Sequence, residues 1–510
     1  MKTFLMHTGQ DFDATPPSKK GPIQSAQDLE LDVLFSAAAA GDRYLYDVMA
    51  AACAGAWTND IATVRYRQDI VKDCLANPAI VRQIYAIAIE PFGRERSWEF
   101  GLYGRDASSM VGSGVRTLQS SLGVLRRLRN ACSATASSFT SRGFRQFFNT
   151  LERDLDDAYL EAAGTDLNNL TFRKGALLSA QVGDGGKGVG TMLRKPEPRD
   201  LSWIQTVLAP GARSYTLQLH PRDDAGAQAF GELQNRGLSL ISDAVYQSAE
   251  HVLNFLKALR AELAFYIGCI NLKEQLARIG EAIAFPEASE FPGGFRCHNL
   301  RDVCLALTMG RRVVGNDVDA NGRPLVIITG ANRGGKSTFL RSVGLAQLML
   351  QCGLFVTADA FISSLHTGLF THYKREEDRN MRSGKFDEEL VRMSEIADHI
   401  RCRALVLFNE SFAATNEREG SEIARQIVSA LLDNEVTVFF VSHMYEFARS
   451  FLDDHRVMFL RADRDETGAR SFRLREAKPL PKSFGIDLYE RIFAPPREAA
   501  GRLGLGRVDL

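Results

Sequence analysis

The chain has 510 residues, 45% hydrophobic and 24% charged, with 62 Lys+Arg against 62 Asp+Glu and a formal net charge of zero. That length allows roughly two to four domains with cores of their own. The neutral balance excludes a global basic field, so any nucleic-acid surface has to be a local patch. Residues 1–27 are polar, with Pro16-Pro17-Ser18-Lys19-Lys20-Gly21, and read as a flexible lead-in. Met1 to Gln10 does not read as a signal peptide, and no apolar run is long enough to span a membrane. From Asp28 onward, DLELDVLFSAAAAGDRYLYDVMAAA and IATVRYRQDIVKDCLANPAIVRQIYAIA place apolar residues at helical spacing, with Asn59-Asp60 as a cap.

Helical stretches are predicted to continue over Val115 to Asn130 and Arg142 to Ala162. Arg126, Arg127 and Arg129 form a basic cluster that suits either a solvated helix face or a DNA-backbone contact. Between about 170 and 220 the pattern changes. TFRKGALLSAQV, GVGTMLRK and SYTLQLHP suggest short strands, and Gly183 to Gly188 reads as a hairpin tip. That tip lacks the Lys-Ser/Thr ending of a phosphate loop. Helix is predicted again from Leu238 to Ala284, with Val245, Ala249, Val252, Leu253 and Leu256 on one face. The sum is an elongated helical arm carrying a small β insertion, over 28–290.

Phe285-Pro286 and Phe291-Pro292-Gly293-Gly294 mark a boundary. An α/β region follows over 291–495, with strands predicted at Leu325 to Thr329, Gly353 to Val356, Ala404 to Phe408, Val436 to Val441 and Val457 to Leu460. Alternating helices imply a mostly parallel sheet. Residues 496–510 form a tail. The fold class is therefore multidomain, α followed by α/β.

The first of these strands runs into Gly330-Ala331-Asn332-Arg333-Gly334-Gly335-Lys336-Ser337, the phosphate-binding pattern G-x-x-x-x-G-K-[ST], followed by Thr338 and a helix from Lys336 to about Cys352. Glycines there let backbone N–H groups turn around an anion, and the helix N-terminus faces it. Lys336 is suited to the outer phosphates of ATP and Ser337 to Mg²⁺. Ala404 to Phe408 ends in Asn409-Glu410, where a P-loop protein needs metal coordination and a base for the attacking water. Glu410 fits the base. Asn409, where an Asp is usual, keeps an oxygen for a metal-bound water and lacks the charge. Val436 to Val441 ends in Ser442-His443, so His443 lies at the ligand edge of the sheet, suited to sense the γ-phosphate or the water. The eight cysteines show no C-x-x-C pair or metal spacing and suit free buried thiols in a reducing cytoplasm.

These segments resemble the MutS family of DNA mismatch-repair ATPases. TGANRGGKSTFLRSVGLAQLMLQCGLFVTA is similar to that family's phosphate loop, helix and following strand; ALVLFNESFAATNEREG and VFFVSHMYEFA resemble its later segments. VVGNDVD before the loop, KSFGIDLYERI near the end, and the helical segments from residue 28 extend the likeness to about 28–493. The resemblance implies a helical core and lever domain followed by an ABC-like P-loop ATPase, working with ATP and Mg²⁺ as a homodimer on DNA in the cytoplasm, with repair proteins as further partners. It implies that Met381 to Phe386 of one subunit reaches the other subunit's nucleotide. The family's mismatch-reading domain has no counterpart before residue 28, so direct wedging into mismatches is not expected; Phe230-Gly231-Glu232 lies in the arm and is a chance match to the wedge motif. Ala331, Arg333, Asn409 and Phe386-Asp387-Glu388-Glu389 depart from the family pattern and point to ATP binding with weakened hydrolysis. A second function class is a nucleotide-gated scaffold that grips a protein and turns over slowly or not at all. A transporter motor suits the helical arm poorly.

Overall fold

The computed structural model describes residues 1–15, 26–94, 106–172, 175–186, 188–194, 218–220, 222–374, 384–464 and 470–481. They fall into two compact units. The first comprises Met1–Leu5, Gly9–Phe12 and Asn77–Leu263; the second comprises Met6–Thr8, Asp13–Ala76 and Ala264–Leu510. The helices between 28 and 76 therefore group with the α/β region rather than with the arm, as a boundary near 290 would have had it.

Three helices come first in the chain: α1 (Leu31–Ala39), α2 (Arg43–Ala54) and α3 (Ile61–Ala76). Asp60 caps α3 by accepting from Thr63 N at 2.7 Å. Asn59 does not share that task; its amide donates to Gln351 O. The N-terminal stretch is not a loose lead-in over residues 1–15. Leu5 and Met6 are fully buried, and the Leu5 and Phe12 amides donate to buried Glu262. Its few apolar side chains suffice to anchor it, which a mean polarity does not reveal.

The first unit is built from α4 (Pro78–Ile89), α5 (Ala107–Thr135), α6 (Arg142–Asp154), α7 (Asp157–Asn169), the strands β1 (Leu177–Val182) and β2 (Gly188–Arg194), and α8 (Asp224–Arg278) as far as Leu263. Asp106, Ser141 and Asp156 cap α5, α6 and α7 through amides of their first turns. The stretch read as one helix over 142–162 is broken at Leu155-Asp156, where that cap starts α7. β1 and β2 pair antiparallel with Val182 opposite Gly188, so the glycine-rich segment is a hairpin tip. SYTLQLHP lies outside the described residues apart from Gln218 to His220. In the basic cluster, Arg127 pairs with Glu90 and Arg129 with Asp157 at 2.8 Å, so two of the three cations serve the fold.

The second unit holds two sheets. The smaller has β3 (Glu287–Ser289), β4 (Phe295–Leu300), β5 (Asn316–Asp319) and β7 (Ala360–Ser364), with α9 (Val303–Met309) between β4 and β5. Its order is β3-β7-β4-β5. The larger has β6 (Leu325–Gly330), β8 (Leu369–Tyr373), β9 (Leu405–Asn409), β10 (Thr437–Val441), β11 (Val457–Arg464) and β12 (Arg470–Glu476). Its order is β12-β11-β6-β10-β9-β8. β11, β6, β10, β9 and β8 run parallel and β12 closes the edge antiparallel. β6 is central and Leu325 to Ile328 are fully buried, the near-continuous apolar run of a strand covered on both faces. Helices α10 (Lys336–Cys352), α11 (Lys385–His399), α12 (Glu417–Asp433) and α13 (Tyr445–Arg449) connect the strands.

Gly353 to Val356 is not a strand. Gly353, at φ 78°, ends α10 and Leu354 N bonds back to Met349 O, while Val356 makes one antiparallel bridge to Ala284. The run is apolar because it is buried, and a helix cap followed by a single bridge satisfies its backbone. No helix among the described residues is long and apolar enough to cross a membrane. Seven of the eight cysteines are buried and Cys402 is exposed; none is in a disulfide.

Candidate nucleotide site

The carboxyl ends of β6, β9 and β10 are neighbours in one sheet, so the polar residues that follow each strand converge. After β6 the chain turns at Gly330, with φ 109°. A Cβ there would lie 2.7 Å from Ala462 O and 2.8 Å from Ala462 N on β11. At Gly334 it would meet Ala462 Cβ at 2.8 Å. The loop is thus pressed against the neighbouring strand, and glycine is required for steric reasons at both points. Gly335, at φ 87°, precedes α10 and turns its first amides toward the loop.

Lys336 is buried, and its Nζ donates to Gly330 O and Ala331 O at 3.0 Å each. Burial pushes its amine down to about 8, partly offset by the negative charge of Glu410. Ser337 Oγ donates to Asn409 Oδ1 at 2.8 Å, joining the first turn of α10 to the end of β9. Glu410 follows in the left-handed region at φ 55°, its amide bonded to Val441 O. His443 Nε2 lies 2.8 Å from Glu410 Oε1. That hydrogen bond holds the Glu410 carboxyl below the usual glutamate range; burial opposes it, and the charges of His443, Lys336 and Lys374 reinforce it.

Asn332, Arg333, Gly334 to Thr338 and Glu410 line a cavity of about 610 Å³. Leu305, Met309, Val313, Val314 and Phe472 line it too, with Arg311 and Arg312, and Phe472 Cβ would lie 3.5 Å from a Cβ at Gly335. A cleft of this volume that combines loop amides, cationic side chains and apolar side chains suits a nucleotide. The glycine cradle and the Ser337–Asn409 pair fit a triphosphate with Mg²⁺, because the hydroxyl gives its only proton to the amide and leaves its lone pairs free.

Every residue assigned to the phosphate loop, together with Asn409, Glu410 and His443, comes together here. Of Met381 to Phe386, residues 381–383 lie outside the described residues, while Gly384 precedes α11. KSFGIDLYERI also lies outside them. Phe472 carries no motif, and sequence reasoning misses it. It is brought in because Asn316 accepts from Leu474 N at 2.7 Å and donates to Phe472 O. The Asn316 of VVGNDVD is the one available signal.

The family model for the MutS2 N-terminal domain matches residues 59–279, and that for MutS domain V matches residues 326–500. The chain is similar to the DNA mismatch repair protein MutS of Chloroflexus aurantiacus, 31% identical over 196 residues, which cover 37% of this chain and 20% of the relative. To its namesake in Thermus thermophilus it is 29% identical over 182 residues, 36% of this chain and 22% of the relative. With that of Geobacillus kaustophilus it shares 26% over 303 residues, 53% and 34%. The chain thus spans about a third or less of the length of these relatives. With both halves matched and the phosphate loop, strand-end acid and histidine assembled on one sheet edge, the chain belongs to the MutS family.

Proposed function

We propose that the chain is an ATP-dependent DNA-binding protein of the MutS type. ATP binding and hydrolysis at a dimer interface would move helical arms as a clamp on DNA, in DNA repair or recombination. The observation that carries the ATPase part is the meeting of Lys336, Ser337, Asn409, Glu410 and His443 within hydrogen-bond reach or in one cavity. The DNA, dimer and repair-protein parts rest on family membership.

The loop amides and Lys336 bind and orient the β and γ phosphates. Ser337, with Asn409 behind it, would hold Mg²⁺, which would neutralise charge on the phosphate oxygens. Glu410 accepts a proton from a water that attacks the γ-phosphorus as the bond to the β-phosphate oxygen breaks. His443 donates to Glu410 and keeps its carboxylate oriented and charged. Asn409 in place of an acid weakens metal binding, so turnover is expected to be slow. This one residue also favours the second reading, a nucleotide-gated scaffold with little or no hydrolysis.

ATP hydrolysis by wild type, Lys336→Ala and Glu410→Gln tests the enzymatic part; equal rates in all three remove it. Retention on branched, mismatched and plain duplex DNA across a salt series tests the other part. Salt-sensitive binding supports a DNA clamp, and no retention at low salt favours the scaffold.

A further inference from the structure

Glu410 is the first of three residues, Glu410-Ser411-Phe412, whose backbone is unusual. Glu410 and Phe412 both occupy the left-handed region, at φ 55° and 63°, which non-glycine residues avoid. Such conformations persist only where the surroundings over-determine them. Besides the bond from Glu410 N to Val441 O and the packing of Gly420 against Phe412 O, two side chains from elsewhere in the second unit hold this segment, and neither belongs to the phosphate loop.

The first is Glu389, on α11. Its Oε2 accepts from Phe412 N at 2.9 Å. The second is His372, on β8, wholly buried like Ser411 and Phe412. Its Nε2 lies 2.9 Å from Glu389 O, so it is the donor there, and its Nδ1 lies 2.7 Å from Ser411 Oγ. The Ser411 hydroxyl sits between that nitrogen and His372 O. The imidazole also stacks on the Phe412 ring, with centroids 5.1 Å apart and planes at 16°. The residue after the base and the residue after that are both tied to α11, one through His372 and one directly.

We propose that Glu389 and His372 are positioning residues for Glu410, so that α11 sets the direction of the Glu410 carboxylate. This rests on the ATPase reading above and deepens it. Neither side chain is among the residues that line the cavity, and each is hydrogen-bonded within the buried network. Their effect passes through Ser411 and Phe412, which leave Glu410 a single backbone course between Asn409 and the buried network. α11 thereby gains a physical route to the base: a shift of the helix at Glu389 pulls on Phe412 N and on the His372 ring together.

The test measures kcat, ATP affinity and thermal stability in Glu389→Ala, Glu389→Gln and Ser411→Ala. A glutamine side chain keeps an oxygen for Phe412 N and an alanine does not. In Glu389→Ala, kcat is expected to fall about tenfold or more with ATP affinity changed less than about threefold. Glu389→Gln is expected to recover most of that loss, and Ser411→Ala to lower kcat several-fold with affinity kept. Should Glu389→Ala not fold, Glu389→Gln and Ser411→Ala still decide. Unchanged kcat in Ser411→Ala, or kcat and affinity falling together in the Glu389 variants, overturns the inference while leaving the ATPase reading intact. A wild-type chain without turnover removes both.

Discussion

Ser337 Oγ and Asn409 Oδ1 are 2.8 Å apart, so the hydroxyl that opens α10 is held by the amide that ends β9. A carboxylate in that place would add a full negative charge beside the metal position. Asn409→Asp is therefore expected to lower the Mg²⁺ concentration for half-maximal ATPase activity on the order of tenfold. A magnesium titration of both proteins checks it; unchanged midpoints count against a metal-side role for Asn409.

His443 acts on the base through its hydrogen bond to Glu410. Because that bond depresses the Glu410 pKa, the carboxylate survives below the ordinary value of 4.5. The stability it contributes is present above 4.5 and is lost as pH falls through the lower folded value. In His443→Ala the acid limb of the kcat profile is expected to move up in pH, with kcat at neutral pH reduced about tenfold. A pH–rate profile of the two proteins decides.

Lys336 loses its proton near pH 8 because it is buried. Phosphate oxygens placed against Nζ favour the charged form. Binding of Mg-ATP at about pH 8.5 is therefore expected to take up protons at Lys336, up to about one per site, and far fewer there at about pH 7. Calorimetry in buffers of different ionisation enthalpy measures this. No uptake on the alkaline side would separate Lys336 from the phosphates.

Two glycines make a contrast. At Gly330 a Cβ would collide with the backbone of Ala462, whereas at Gly123 within α5 nothing lies within 4 Å. Gly330→Ala is expected to cost about 2–4 kcal/mol and to abolish nucleotide binding. Gly123→Ala is expected to stabilise by about 0.5–1 kcal/mol. Denaturant melts of both variants give the comparison.

The site was largely legible because its chemistry is local in sequence. Gly330 to Thr338 carries its own spacing, and Asn409, Glu410 and His443 each follow an apolar run that forms a buried strand. What escaped was whatever depends on partners far along the chain. Phe472 reaches the cavity through Asn316 on another sheet, and Glu389 and His372 meet Glu410's neighbours only after β8, α11 and β9 have packed. β3, β5 and β7 are short and mix polar with apolar residues, so no alternation announces them. Gly353 to Val356 misled for the opposite reason, since burial alone made it apolar. Leu5 and Met6 show that two apolar residues can fix a stretch whose average reads as polar.

The most direct measurement is retention of labelled ATP with Mg²⁺ by wild type and Glu410→Gln, followed over the time in which wild type produces ADP. The expected result is that both bind, wild type hydrolyses and Glu410→Gln holds ATP intact. Failure of the wild-type chain to bind ATP at all, with magnesium present, would contradict the nucleotide site built around Lys336.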